Sequence, residues 1–168
     1  MTKFRPGRLA ICALLGLAGA GIGAANAEIK TQVIEYRQGD TVLEGYLAYD
    51  DAVQGRRPGI LVAHSWIGVG DYVKKRTEML AGMGYIAFAP DIYGKGIRPR
   101  PPKESGAEMR KYTNDRALLR TRVLAGLDIL RASPMTDTGK LVAIGYCFGG
   151  TAVLELARTG IDILGVVS

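Results

Sequence analysis

Gly145-Tyr146-Cys147-Phe148-Gly149-Gly150 holds a thiol with a glycine two positions away on either side. The apolar run Leu141–Gly145 comes just before it, and the helix-forming stretch Thr151–Arg158 just after. This is the spacing of a nucleophile elbow, with cysteine where serine is commoner. A strand that turns straight into a helix forces its central residue into a strained backbone conformation, which lifts the side chain clear of the sheet. The positions two residues away must be small, because strand and helix nearly touch there. The turn also sets Cys147 at a helix N-terminus, where the helix dipole favours an anion. The chemistry open to such a group is covalent: sulfur attacks a carbonyl carbon and holds the acyl group as a thioester. The competing role for Cys147 is a buried structural thiol in a glycine-rich turn, since free cysteine is often buried. Strand, glycines and helix in register favour the nucleophile.

A thiol presented this way needs a sheet beneath it. Residues 31–37 and 41–48 are two short β-type runs separated by Gln38-Gly39-Asp40, a hairpin signal. Residues 59–64 (GILVAH) and 85–89 (YIAFA) are apolar without alternation, as strands covered on both faces are. A helix is predicted from Asp71 as N-cap, with Val73, Thr77, Leu80 and Ala81 on one face and Gly84 closing it. Residues 92–104, rich in glycine and proline, read as a loop. Ser105-x-x-Glu108 reads as a capping box that opens one long helix to about Arg131, with Leu119, Val123, Leu127 and Leu130 as its buried stripe. Gly160 ends the helix after the elbow, and 163–168 begins a further buried strand. A hairpin followed by alternating strands and helices argues a three-layer α/β fold with a mostly parallel sheet. In such sheets sites gather at the carboxyl ends of the strands. His64–Trp66, Pro90–Tyr93 and Cys147 all fall at such ends.

The chain of 168 residues carries a net charge of +6. Three of its basic residues, Lys3, Arg5 and Arg8, precede an apolar, glycine- and alanine-rich run, Leu9–Ala25, and then Ala25-Asn26-Ala27. That is the layout of a secretory signal cleaved after Ala27, which makes residues 28–168 the mature domain and the protein an exported one, expected in the periplasm. The apolar run is short for a membrane span, and Cys12 lies too early in it for a lipoprotein cysteine. No stable membrane span is expected after cleavage. Residues 28–168 are only mildly basic and have no long basic run, which gives no case for a nucleic-acid partner. Their one cysteine, Cys147, excludes an internal disulfide. An unpaired thiol is a liability in an oxidising compartment unless it is buried or used.

Three stretches, 64–96 (HSWIGVGDYVKKRTEMLAGMGYIAFAPDIYGKG), 115–120 (DRALLR) and 144–157 (IGYCFGGTAVLELA), together resemble the dienelactone hydrolases of the α/β-hydrolase superfamily. The resemblance runs from about Gly59 to Ser168. It implies hydrolysis of a small-molecule ester or lactone through a thioester on Cys147, with neither cofactor nor metal. It further implies an oxyanion hole built from two backbone N–H groups, those of Phe148 and Trp66. His64, Ser65, Asp91 and Tyr93 are the residues it brings near the site.

The chain departs from the family pattern in three places. Ser65 stands where members often carry a glutamate beside the resting nucleophile. His64, the one histidine, is not at the triad histidine's place, and reads as a hydrogen-bonded loop former before it reads as a base. The family's acid and histidine follow the nucleophile, yet the residues after Cys147 hold only Asp162, close behind the elbow helix, and no histidine. The expectation is therefore a partial domain lacking the C-terminal strands and helices of the fold. Its alternative is a non-catalytic remnant that binds small ligands or a partner. Class I amidotransferases also place cysteine on such a turn, but Pro90-Asp91-x-Tyr93-Gly94 and the export signal fit them poorly. Arg98, Arg100, Arg116 and Arg120 are candidates to hold a substrate carboxylate, against the commoner role of solvated surface.

Overall fold

In the computed structural model, residues 28–168 are described, so the expected signal at 1–27 lies outside the described residues. Strands β1 (Ile29–Gln38) and β2 (Thr41–Asp50) form the expected hairpin around Gly39-Asp40, in register from Gln38↔Thr41 to Ile29↔Asp50. The apolar runs become β3 (Arg57–Ala63) and β4 (Ile86–Ala89), and the elbow strand is β5 (Thr136–Gly145). With β6 (Gly165–Val167) they make one sheet in the order β1-β2-β4-β3-β5-β6. The β1–β2 and β2–β4 pairs are antiparallel and the rest parallel.

Strand alternation divides the core into two layers, one on each face of this sheet. Ile60, Val62, Ala87 and Ala89 point to one face, where they meet Val73 of α1 (Asp71–Ala81). Leu61, Ala63, Phe88, Leu141 and Ala143 point to the other. There they meet Leu119, Val123, Leu127 and Leu130 of α3 (Arg116–Ala132), and Ala152, Val153 and Leu156 of α4 (Phe148–Ala157). Helix α2 (Lys103–Asn114) adds Tyr112 to the same layer. The result is the expected three-layer α/β arrangement. Among the described residues no helix is long and apolar enough to cross a membrane.

Several local expectations are corrected. Asp71 is the first helical residue of α1; the N-cap is Gly70, which offers no side-chain cap. The long helix is two helices. It starts at Lys103, because Ser105 Oγ donates to the Pro99 carbonyl (2.9 Å) instead of capping. It breaks at Asp115, whose non-helical backbone ends α2 and whose carboxylate accepts from the Leu118 N–H (2.9 Å) to cap α3. The elbow strand begins at Thr136, not Leu141, because a register shift opposite Pro58/Gly59 lets it pair with β3 on both sides of an irregularity. The buried strand expected at 163–168 is a three-residue pairing of Gly165–Val167 with β5, and Val167 is 64% exposed. No described strand lies on its outer side.

Candidate active site

Cys147 sits between β5 and α4 with φ 57° and ψ −114°. Among the described residues it is the one non-glycine residue with positive φ. A conformation this sparsely populated costs on the order of 1–3 kcal/mol and persists only where its surroundings enforce it. Here they do. A β-carbon on Gly145 would lie 2.0 Å from the Gly149 carbonyl oxygen, and one on Gly149 would lie 2.2 Å from the Ala63 carbonyl oxygen. Strand and helix therefore touch at the two glycines, with β3 behind them. The thiol is exposed, which removes the buried structural role weighed for it.

Parallel pairing sets Ala63 beside Gly145 at the carboxyl ends of β3 and β5, so the loop after β3 lies next to the elbow. Trp66 in that loop and Phe148 at the start of α4 carry the two backbone N–H groups expected to bind an oxyanion. Neither N–H has an acceptor among the described residues. The Phe148 side chain is buried and stacks on Tyr93, with centroids 5.6 Å apart and planes 29° apart.

His64 is fully buried. Its Nδ1 lies 2.6 Å from the Ser65 carbonyl oxygen, and its Nε2 accepts from the Ile92 N–H at 3.2 Å. A carbonyl can only accept and an N–H can only donate, so the ring is the neutral tautomer with hydrogen on Nδ1. Burial pushes its pKa down to about 4. With both nitrogens engaged, His64 has no free site at which to act as a base.

Asp91 is equally buried, and its carboxylate accepts from the N–H groups of Tyr93 (3.0 Å), Gly94 (3.1 Å) and Glu44 (3.1 Å). Tyr36 closes the same corner, its hydroxyl accepting from the Asp91 N–H (3.0 Å). Asp91 thus shapes the loop after β4. Tyr93, 2% exposed, donates its hydroxyl to the Trp66 carbonyl (3.1 Å). Ser65 is half-buried between His64 and Trp66.

All four candidate arginines have partners within the protein. Arg98 Nε donates to the Val69 carbonyl (2.9 Å), which ties the loop after β4 to the loop after β3. Arg116 and Arg120 turn to the buried carboxylate of Glu155 on α4, at 3.5 and 2.8 Å, and Arg158 joins them at 2.8 Å. Arg100 remains exposed and pairs with Glu104. Sequence reading missed Glu155; its signal was a lone acid in an otherwise apolar helix. Asp162 offers its backbone carbonyl to Arg131 (2.8 Å). A concavity of about 330 Å³ lined by Tyr49, Arg56, Arg57 and Met135 lies where β3 and β5 begin, at the opposite end of the sheet from Cys147. Among the described residues no three His, Cys, Asp or Glu side chains are placed to hold a metal.

The family model of the dienelactone hydrolase family matches residues 43–168. Putative carboxymethylenebutenolidases of Aquifex aeolicus and Synechocystis sp. are 28% and 29% identical to this chain, the alignments covering 75% of it and 54% and 53% of those proteins. A crystal structure of a dienelactone hydrolase-like promiscuous phosphotriesterase from metagenomic libraries superposes with a TM-score of 0.79 at 36% identity, over 82% of this chain and 57% of that one. The chain spans about half the length of the curated relatives it matches.

Proposed function

The chain belongs to the dienelactone hydrolase family, and from that membership we propose that it carries the nucleophile of an exported hydrolase that cleaves small esters or lactones through a thioester on Cys147. The observation that carries this reading is the strained, exposed backbone position of Cys147 at the N-terminus of α4. Relatives named as carboxymethylenebutenolidases support a lactone or ester as the substrate class.

In the proposed step the Cys147 sulfur, as thiolate, adds its electron pair to the substrate carbonyl carbon. The carbonyl π pair moves onto oxygen, where the Trp66 and Phe148 N–H groups receive it; each such donor is worth roughly 2.7–4 kcal/mol. The oxyanion collapses, the bond from carbon to the leaving oxygen breaks, and the alkoxide or phenolate departs with the pair. In a lactone the leaving oxygen stays tethered to the acyl group. Hydrolysis of the thioester then needs a base to activate water, and His64, buried with both nitrogens engaged, does not supply it.

The 168-residue chain should therefore acylate once and stall. Mixed with p-nitrophenyl acetate, it should release at most one equivalent of p-nitrophenolate per chain, and the Cys147→Ala variant none. The locked histidine also suits a second reading, a non-catalytic chain that binds small ligands or a partner. The same measurement separates the two: no burst from folded parent chain favours the second. Sustained turnover would contradict the second reading and the expected stall, and if lost in Cys147→Ala it would leave the thioester standing.

A further inference from the structure

The peptide unit between Ser65 and Trp66 supplies the expected donor of the β3 loop, and it is held from behind by its own carbonyl. A trans peptide is planar, with its C=O and N–H pointing in opposite directions. Whatever fixes the Ser65 carbonyl therefore aims the Trp66 N–H. Two groups hold it: His64, whose Nδ1–H donates to the Ser65 oxygen at 2.6 Å, and the Gly68 N–H at the longer distance of 3.2 Å. The ring has little freedom of its own. Ile92 N–H pins Nε2 at 3.2 Å, and Tyr93 packs edge-on against it with centroids 4.8 Å apart. Tyr93 also donates to the Trp66 carbonyl at 3.1 Å, so the next peptide along is held as well. Its ring stacks on Phe148, which carries the other donor. Tyr112 braces it in turn, donating its hydroxyl to the Tyr93 carbonyl at 2.9 Å.

We propose that His64 is a positioning residue for acylation: through the Ser65 carbonyl it aims the Trp66 N–H at the oxyanion, and Tyr93 fixes that loop relative to Phe148. Without the imidazole the peptide keeps only the longer Gly68 bond and could tilt, swinging the Trp66 N–H away from the developing negative charge. The proposal rests on the thioester reading above. It gives this buried imidazole a part in the chemistry without a proton transfer.

The test compares two reactions of the same sulfur. Acylation by p-nitrophenyl acetate builds an oxyanion; alkylation by iodoacetamide displaces iodide and builds none. The His64→Leu variant should lose about tenfold or more in the burst rate constant, short of the roughly hundredfold loss of a whole donor, with its alkylation rate unchanged. His64→Asn, whose side-chain amide can still donate to the Ser65 oxygen, should recover most of the burst rate. Unchanged acylation in His64→Leu would overturn the proposal, as would an equal fall in both reactions. Should that variant fail to fold, Tyr93→Phe keeps the ring and carries the same comparison: slower acylation at constant alkylation supports the proposal, and unchanged acylation overturns it. A folded parent chain with no burst overturns the thioester reading and this proposal together, whereas a parent burst indifferent to His64 and Tyr93 overturns this proposal alone.

Discussion

Gly149 and Ala63 meet so closely that a β-carbon on the glycine would lie 2.2 Å from the alanine's carbonyl oxygen. No ordinary β-carbon contact is that short, so the first turn of α4 can sit on the end of β3 only if this residue has no side chain. The contact holds Cys147 in its positive-φ turn. Gly149→Ala should push α4 away from β3 and destabilise the fold by about 1–3 kcal/mol or more, the usual cost of overpacking. Gly145→Ala, 2.0 Å from the Gly149 carbonyl, should do likewise. Thermal melts of the two variants check this, and melting temperatures equal to the parent's would mean that strand and helix are not in contact.

The buried imidazole makes stability depend on pH. His64 has a folded pKa of about 4 against an ordinary value of 6.5, with burial as the main cause and nearby Asp91 opposing Arg98. Between those values the unfolded chain binds a proton that the folded chain refuses. Stability is therefore complete above about pH 6.5 and declines as pH falls toward 4, by up to roughly 3 kcal/mol. His64 is the one histidine, so the decline from pH 6.5 to 5 is its own signature, ahead of the carboxylates. Urea midpoints measured across that window should fall in the parent and stay level in His64→Asn. A level parent would show that His64 is accessible to protons.

Glu155 gathers three guanidinium groups while itself only 5% exposed, so its loss leaves Arg116, Arg120 and Arg158 repelling one another between α3 and α4. Because the arginines are partly solvated, Glu155→Gln should cost about 1–2 kcal/mol, short of a fully buried pair. The acylation burst should persist, since this cluster holds helices together and not substrate. A lost burst with an unchanged melting temperature would put the cluster in the substrate site.

Export is checked separately from the chemistry. Protein recovered from the periplasm should begin at Glu28, because Ala25 and Ala27 supply the small residues a signal peptidase reads. An N-terminus at Met1 in that fraction, or protein confined to the cytosol, would contradict the export reading.

Local rules carried the sequence reading a long way. The Gly39-Asp40 turn, the apolar runs of β3 and β4, the leucine stripe of α3 and the glycines around Cys147 each follow from residues a few positions apart. Where two local signals competed, the reading went astray. Ser105 and Glu108 have capping-box spacing, but the hydroxyl is taken by Pro99, six residues back, whereas Asp115 inside an apparently continuous helix is the cap that forms. Long-range pairings left no local trace. The Tyr36–Asp91 bonds span 55 residues, and Tyr93–Trp66 spans 27. The arginines show the same limit: Arg116 and Arg120 were candidates for a substrate carboxylate, and only the fold reveals that they hold Glu155. Cys147 was legible because an elbow is a local constraint; the bracing of its neighbours was not.

An acyl group on Cys147 is the direct mark of the proposed thioester. Brief reaction of the folded chain with p-nitrophenyl acetate, acid quenching, and mass spectrometry of the peptides should find one acetyl group per chain, on Cys147, removable by neutral hydroxylamine as a thioester is. The label should be absent from Cys147→Ala. An acetyl group on lysine or tyrosine instead, or an unmodified Cys147 in folded protein, would contradict the thioester.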